Sequence, residues 1–161
     1  QNGKKFRDIT SKAGDYLNSS HEGRGLAAGD LDLDGDLDLA ISHLNAPVSV
    51  LENVTENNSQ WLMIKLVGQT TTRDPIGSRV AVKTADGTLV RQLKGGGSYA
   101  STSDTWLHFG LGPHKSIDDA TVTWRSGLVT HIGQLKAGSR YVIRELEENA
   151  WELPTVDSSI E

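Results

Sequence analysis

The sequence predicts an all-β protein, on three observations. Short β-branched and aromatic runs recur along the 161-residue chain, each bounded by glycine, proline, asparagine or aspartate. Seventeen glycines punctuate these runs, and helix-favouring stretches are few. Many short strands separated by turn signals form the pattern of a β-sandwich or barrel.

Residues 1–25 are polar and glycine-rich and read as loop, with one short helical turn near Ser11 to Ala13. Leu37 to Leu44 and Val48 to Val54 read as strands, joined by the turn residues Asn45, Ala46 and Pro47. Thr55 to Gln60 is a polar break, after which Trp61 to Val67 reads as the next strand. Arg79 to Leu93 is a hairpin with Asp86-Gly87 at its tip. A glycine-rich bend, Gly95 to Ser101, precedes a strand at Trp106 to Gly112. Ala120 to Leu135 forms a second hairpin around Arg125, Ser126 and Gly127, and Arg140 to Leu146 closes the series. The resulting division is 1–58 and 59–147, with 148–161 as tail or linker.

Charge narrows the function classes. The formal net charge is -5, and the nine residues from Asp30 to Asp38 carry five carboxylates. The other sixteen acidic residues balance sixteen basic ones, so the acidity is local. No basic patch with interleaved aromatics is present, which argues against a nucleic-acid partner. The absence of cysteine removes disulfides and thiolate metal sites. No apolar run approaches the roughly 18 residues of a membrane-spanning helix. Because the chain begins with Gln1, it reads as a piece of a longer or processed protein.

The stretch GDLDLDGDLDL, Gly29 to Leu39, alternates with the period of a strand, yet aspartate is depleted in strands and Asp34-Gly35 is a turn dipeptide. Two like charges about 4 Å apart repel by about 4 kcal/mol at the effective dielectric of a protein surface. Such crowding calls for a cation. The spacing D-x-D-x-D-G-x-x-D places Asp30, Asp32 and Asp34 at positions 1, 3 and 5 of a calcium loop, Gly35 at the sharp turn and Asp36 at the carbonyl position. Asp38 closes the shell at position 9. Ile41 stands where an EF-hand needs a bidentate glutamate, which excludes that motif. An oxygen-only donor set favours Ca²⁺ over zinc or copper, with Mg²⁺ behind it. On this reading Leu31, Leu33, Leu37 and Leu39 anchor the loop in a core. The alternative is a solvated acidic edge strand.

The segment GRGLAAGDLDLDGDLDLAISHLNAPVSVLENV resembles an FG-GAP or VCBS-type repeat, the blade unit of integrin-like β-propellers. That resemblance implies a Ca²⁺ loop between two blade strands, with Asp30, Asp32, Asp34 and Asp38 as side-chain ligands and Asp36 as carbonyl ligand. The segments RDPIGSRV, GGGSYASTSD, LHFGLG and VTWRSG, between Arg73 and Gly127, resemble the ASPIC/UnbV domain. Pro75 and Ser78 depart from its pattern, as does Arg125, where proline is usual. The expected architecture is a single propeller-blade-like segment with a Ca-binding loop, followed by a C-terminal β-sandwich or barrel-like domain.

No enzyme motif competes with this reading. Lys94 to Ser98 lacks the order of a phosphate-binding loop, and Ser98, Ser101 and Ser103 near Asp104 and His108 lack a nucleophile elbow. Trp61, Trp106 and Trp124 lie in predicted strands and are expected in the core. The expectation is a non-enzymatic, Ca²⁺-stabilised binding or adhesion module of an extracellular, periplasmic or cell-envelope protein. Its partners would be the rest of a parent propeller and a protein or glycan ligand. Two alternatives are a component of a natural-product biosynthetic pathway and a carbohydrate-binding module.

Overall fold

The computed structural model describes residues 7–56 and 58–154, and it is built almost entirely of β-strands. The first sheet is antiparallel, with order β1 (Gly23–Gly29), β2 (Asp38–His43), β3 (Ser49–Leu51). Two 3₁₀ turns, Thr10–Lys12 and Tyr16–Asn18, precede it. The second is fixed to β2 through the Tyr16 hydroxyl, 2.6 Å from His43 Nε2. Pro47 O can only accept, so His43 carries its proton on Nδ1 and receives the tyrosine O–H on Nε2.

The β1 segment was expected partly as loop, because three glycines and two alanines give it little intrinsic strand preference. Its conformation comes from its neighbours instead. Ladder pairs from Gly25–Ser42 to Gly29–Asp38 hold one edge. At Gly25, a Cβ would meet Ser42 Oγ at 2.8 Å and Tyr99 O at 2.9 Å, so close backbone approach demands glycine there.

Beyond Gln60 the chain forms a sandwich of two four-stranded sheets. The strands are β4 (Gln60–Val67), β5 (Arg79–Thr84), β6 (Gly87–Gln92), the short pair β7 (Gly97–Ser98) and β8 (Ser101–Thr102), and β9 (Leu107–Gly112). β10 (Ser116–Ile117), β11 (Asp119–Thr123), β12 (Val129–His131), β13 (Leu135–Lys136), β14 (Ser139–Arg144) and β15 (Ala150–Leu153) follow. One sheet has the order β12-β11-β5-β6 and the other β15-β14-β4-β9, with β14 and β4 parallel. Neither closes into a barrel.

Alternation along the strands builds the core. Leu62, Ile64 and Leu66 of β4, Phe109 of β9 and Ile143 of β14 meet Val80 and Val82 of β5 and Ala120 and Val122 of β11. Each large aliphatic or aromatic side chain so buried contributes about 1.5–3 kcal/mol. Trp124 is buried with them, its indole N–H donating to Thr130 Oγ1 at 2.9 Å. The two departures at Ser78 and Arg125 are linked: buried Ser78 accepts the Arg125 amide at 2.9 Å, a bond proline could not donate.

Three local expectations change. The first hairpin turns at Ala85-Asp86, with Gly87 opening β6 at φ +138°. In the second, Leu135 leaves the hairpin and pairs with Ile117. The segment expected as tail supplies β15, an edge strand paired along β14; residues 155–161 lie outside the described residues.

Glu145, just past β14, is a fully buried carboxylate within this fold. Burial pushes its pKa up, but the Ser126 hydroxyl (2.6 Å) and the Gln69 and Thr70 amides (each 2.9 Å) outweigh that and hold it down at about 2. The depressed value means this stabilisation is complete above the unfolded value near 4.5 and is lost as pH falls toward 2. Glu145→Gln is expected to cost about 2–3 kcal/mol at pH 7. Denaturant titrations of both proteins should show the difference shrinking below about pH 4.5.

Candidate metal centre

The loop joining β1 to β2 turns tightly because Leu33 and Gly35 both adopt left-handed backbone, at φ +68° and +99°. Its aspartates organise it from within. Asp32 Oδ1 accepts the Asp34 amide at 3.3 Å, and Asp34 Oδ1 accepts the Asp36 amide at 2.8 Å. Asp30 Oδ2 accepts the Gly35 amide at 3.2 Å. Asp38 uses both oxygens, accepting the Leu31 amide at 2.8 Å and the Asn53 amide at 2.9 Å.

Asp30, Asp32 and Asp38 each bring one carboxylate oxygen to within 4.8 Å of the others. Asp30 is only 8% exposed, and its Oδ1 is buried without any hydrogen-bond partner. Burial raises its pKa, and the Asp34 and Asp32 charges push the same way, against the amide bonds from Leu33 and Gly35. Asp34 and Asp36 stand outside that trio. They face a cleft of about 390 Å³ shared with Glu52, Asn53, Glu56 and Trp61. Burial and the neighbouring Asp34 charge raise the Asp36 pKa as well.

The leucines do not anchor the loop as expected. Leu31 and Leu37 are exposed and Leu33 and Leu39 only half-buried, because no second layer covers the first sheet among the described residues. The anchor is backbone contact with the sandwich. Trp61 packs its indole on Gly35, where a Cβ would fall 1.9 Å from the ring, and His108 Nε2 donates to Gly35 O at 2.8 Å. Trp61 is therefore half-buried rather than a core residue, and Trp106 is half-buried as well. Sequence reasoning missed this role of Trp61, His108 and Asn53. The available signal was the glycine itself, which only a turn geometry or a close neighbour would require.

A second seam runs along the free edge of β1. Ser98 and Ser101 hydroxyls accept the Leu26 amide, Ser101 donates back to Leu26 O at 2.9 Å, and Ser103 accepts the Ala28 amide. The Asp104 amide then donates to Ala28 O at 2.9 Å. These serines satisfy the amides and one carbonyl of an edge strand.

Fold and site together define an all-β module in which a sandwich grips a small sheet through its aspartate loop. The chain belongs to the ASPIC and UnbV family, whose pattern matches residues 68–150. It is also 33% identical over 119 residues to cartilage acidic protein 1 of Homo sapiens, an alignment covering 71% of this chain. The chain spans 18% of that relative's length.

Gly35→Ala combines an unfavourable left-handed backbone with a collision against Trp61. It should lower stability by about 2–4 kcal/mol in EDTA-treated protein, read by chemical denaturation. Gly87→Ala, also at positive φ but with open space around it, should cost less.

Proposed function

We propose that this chain is a non-enzymatic, calcium-stabilised binding or adhesion module of an extracellular or cell-envelope protein, with residues 23–54 forming an FG-GAP or VCBS-type blade. The observation carrying the calcium reading is the buried, unpartnered Asp30 Oδ1 within a trio of convergent carboxylates. The donor set fits a hard cation: all oxygen, no sulfur or imidazole among the three, and more negative charge than the local amides neutralise. Asp30, Asp32 and Asp38 would hold the ion, which supplies the positive charge that rigidifies the loop.

The cellular setting rests on the family and on the human relative named for cartilage. Among the described residues no helix is long and apolar enough to cross a membrane. The first sheet supports a partner made of further blades: its residues Leu26 and Val50 are 43% and 62% exposed, and the buried hydrophobic core begins only at Leu62.

Saturating Ca²⁺ is expected to raise the melting temperature by about 5–11 °C at a hundredfold excess over Kd, and EDTA to reverse it. Asp30→Asn should abolish the shift. An unchanged melting curve in millimolar Ca²⁺ would overturn the reading.

Trp151 favours a second reading, carbohydrate binding. It is 53% exposed on edge strand β15, beside a cleft of about 390 Å³ lined by Gln134, Glu148 and Asn149. An exposed indole next to amide and carboxylate groups matches the apolar face and hydroxyl rim of a sugar. Glycan arrays with the wild type and Trp151→Ala test it; binding lost in the variant supports it, and blank arrays for the wild type remove it.

A further inference from the structure

The aspartate trio does not hang from its own sheet alone. Asp30 is oriented by the Gly35 amide, and Gly35 is gripped on two sides by the sandwich: the Trp61 indole on its α-carbon and the His108 imidazole on its carbonyl. Asp38 is oriented by the Asn53 amide, from the segment that leads directly into β4 and shares the acidic cleft with Trp61. Of the three convergent carboxylates, Asp30 thus takes its position, through Gly35, from groups of the sandwich, while Asp38 is held by the Leu31 amide of the loop and the Asn53 amide at the end of the small sheet's own segment. Trp61 lies outside the sandwich's buried cluster, so its ring serves this contact rather than the core.

We propose that Trp61 and His108 are positioning residues of the cation site, so that cation occupancy and the seating of the sandwich on the aspartate loop are one coupled equilibrium. The proposal rests on the calcium reading above and adds that the site is completed across two sheets. An ion that fixes Asp30 also fixes Gly35, and therefore favours the arrangement in which Trp61 and His108 are engaged. By reciprocity, engaging those two residues raises cation affinity by the same factor. A calcium change would then alter how the small sheet is presented relative to the sandwich, beyond stabilising a loop.

The test is Ca²⁺ titration of the intact chain by calorimetry, comparing wild type with Trp61→Leu, His108→Ala and His108→Gln. Far-UV circular dichroism in EDTA checks each fold. Trp61→Leu and His108→Ala should each weaken Ca²⁺ binding about tenfold, the effect typical of residues that orient metal ligands. His108→Gln keeps an N–H for the Gly35 carbonyl and should recover much of the loss. Variants binding within about twofold of wild type would overturn the coupling while leaving the calcium site standing. A wild type that binds no Ca²⁺ would remove the calcium reading itself and the coupling with it. Hydrogen exchange on the wild type needs no variant: Ca²⁺-dependent protection should reach the strand around His108, and protection confined to residues 30–38 would overturn the proposal.

Discussion

The Trp61 indole occupies the volume that any side chain at position 35 would need. From that exclusion much of the local architecture follows. Glycine permits the ring to approach and the loop to take its left-handed turn, which aims the Gly35 amide at Asp30 and the Gly35 carbonyl at His108. The loop is thereby held through its backbone, and Leu31 and Leu37 are left toward solvent. A sheet with so little buried apolar surface needs another source of order. It has two: the indole clamp at the loop, and the serine hydroxyls along β1.

Those serines show how a glycine-rich strand is kept in place. β1 has one edge in a regular ladder with β2 and an outer edge that would otherwise present unpaired amides. Side-chain hydroxyls from 98, 101 and 103 answer the amides at Leu26 and Ala28, where a regular neighbouring strand would have used carbonyls. The partner hairpin can therefore be short, and its contact with β1 specific, since each hydroxyl must meet one particular amide. A similar economy of contacts operates at Glu145, whose carboxylate gathers Gln69, Thr70 and Ser126 from two loops.

What the sequence made legible divides along physical lines. The sandwich strands were readable because their apolar residues alternate and face one core: Leu62, Ile64 and Leu66, or Val80 and Val82. The aspartate loop was readable because charge crowding and Asp-Gly contradict the strand period. β1 was not, since glycine and alanine carry no strand signal and its conformation is imposed by β2 and distant serines. β15 was hidden for a related reason: its one strong cue, Trp151, points outward from an edge. The clamp was invisible because Trp61 and His108 lie 26 and 73 residues from Gly35, and only the closed fold brings them together.

Within the trio, the carboxylates are not equivalent. At separations up to 4.8 Å, each pair repels by about 3–4 kcal/mol at an effective dielectric of 20, comparable to one or two charge-assisted amide bonds. Asp38 has two such bonds and keeps both oxygens satisfied. Asp32 is exposed and relieved by water and the Asp34 amide. Asp30 is buried with its Oδ1 unpartnered, and burial, followed by the Asp34 and Asp32 charges, raises its pKa. A proton on Asp30 would relieve the strain on one carboxylate, whereas a divalent cation relieves all three pairs and supplies the partner Oδ1 lacks. On the proposed calcium reading, the ion would answer the one buried oxygen that the loop's own amides leave without a partner.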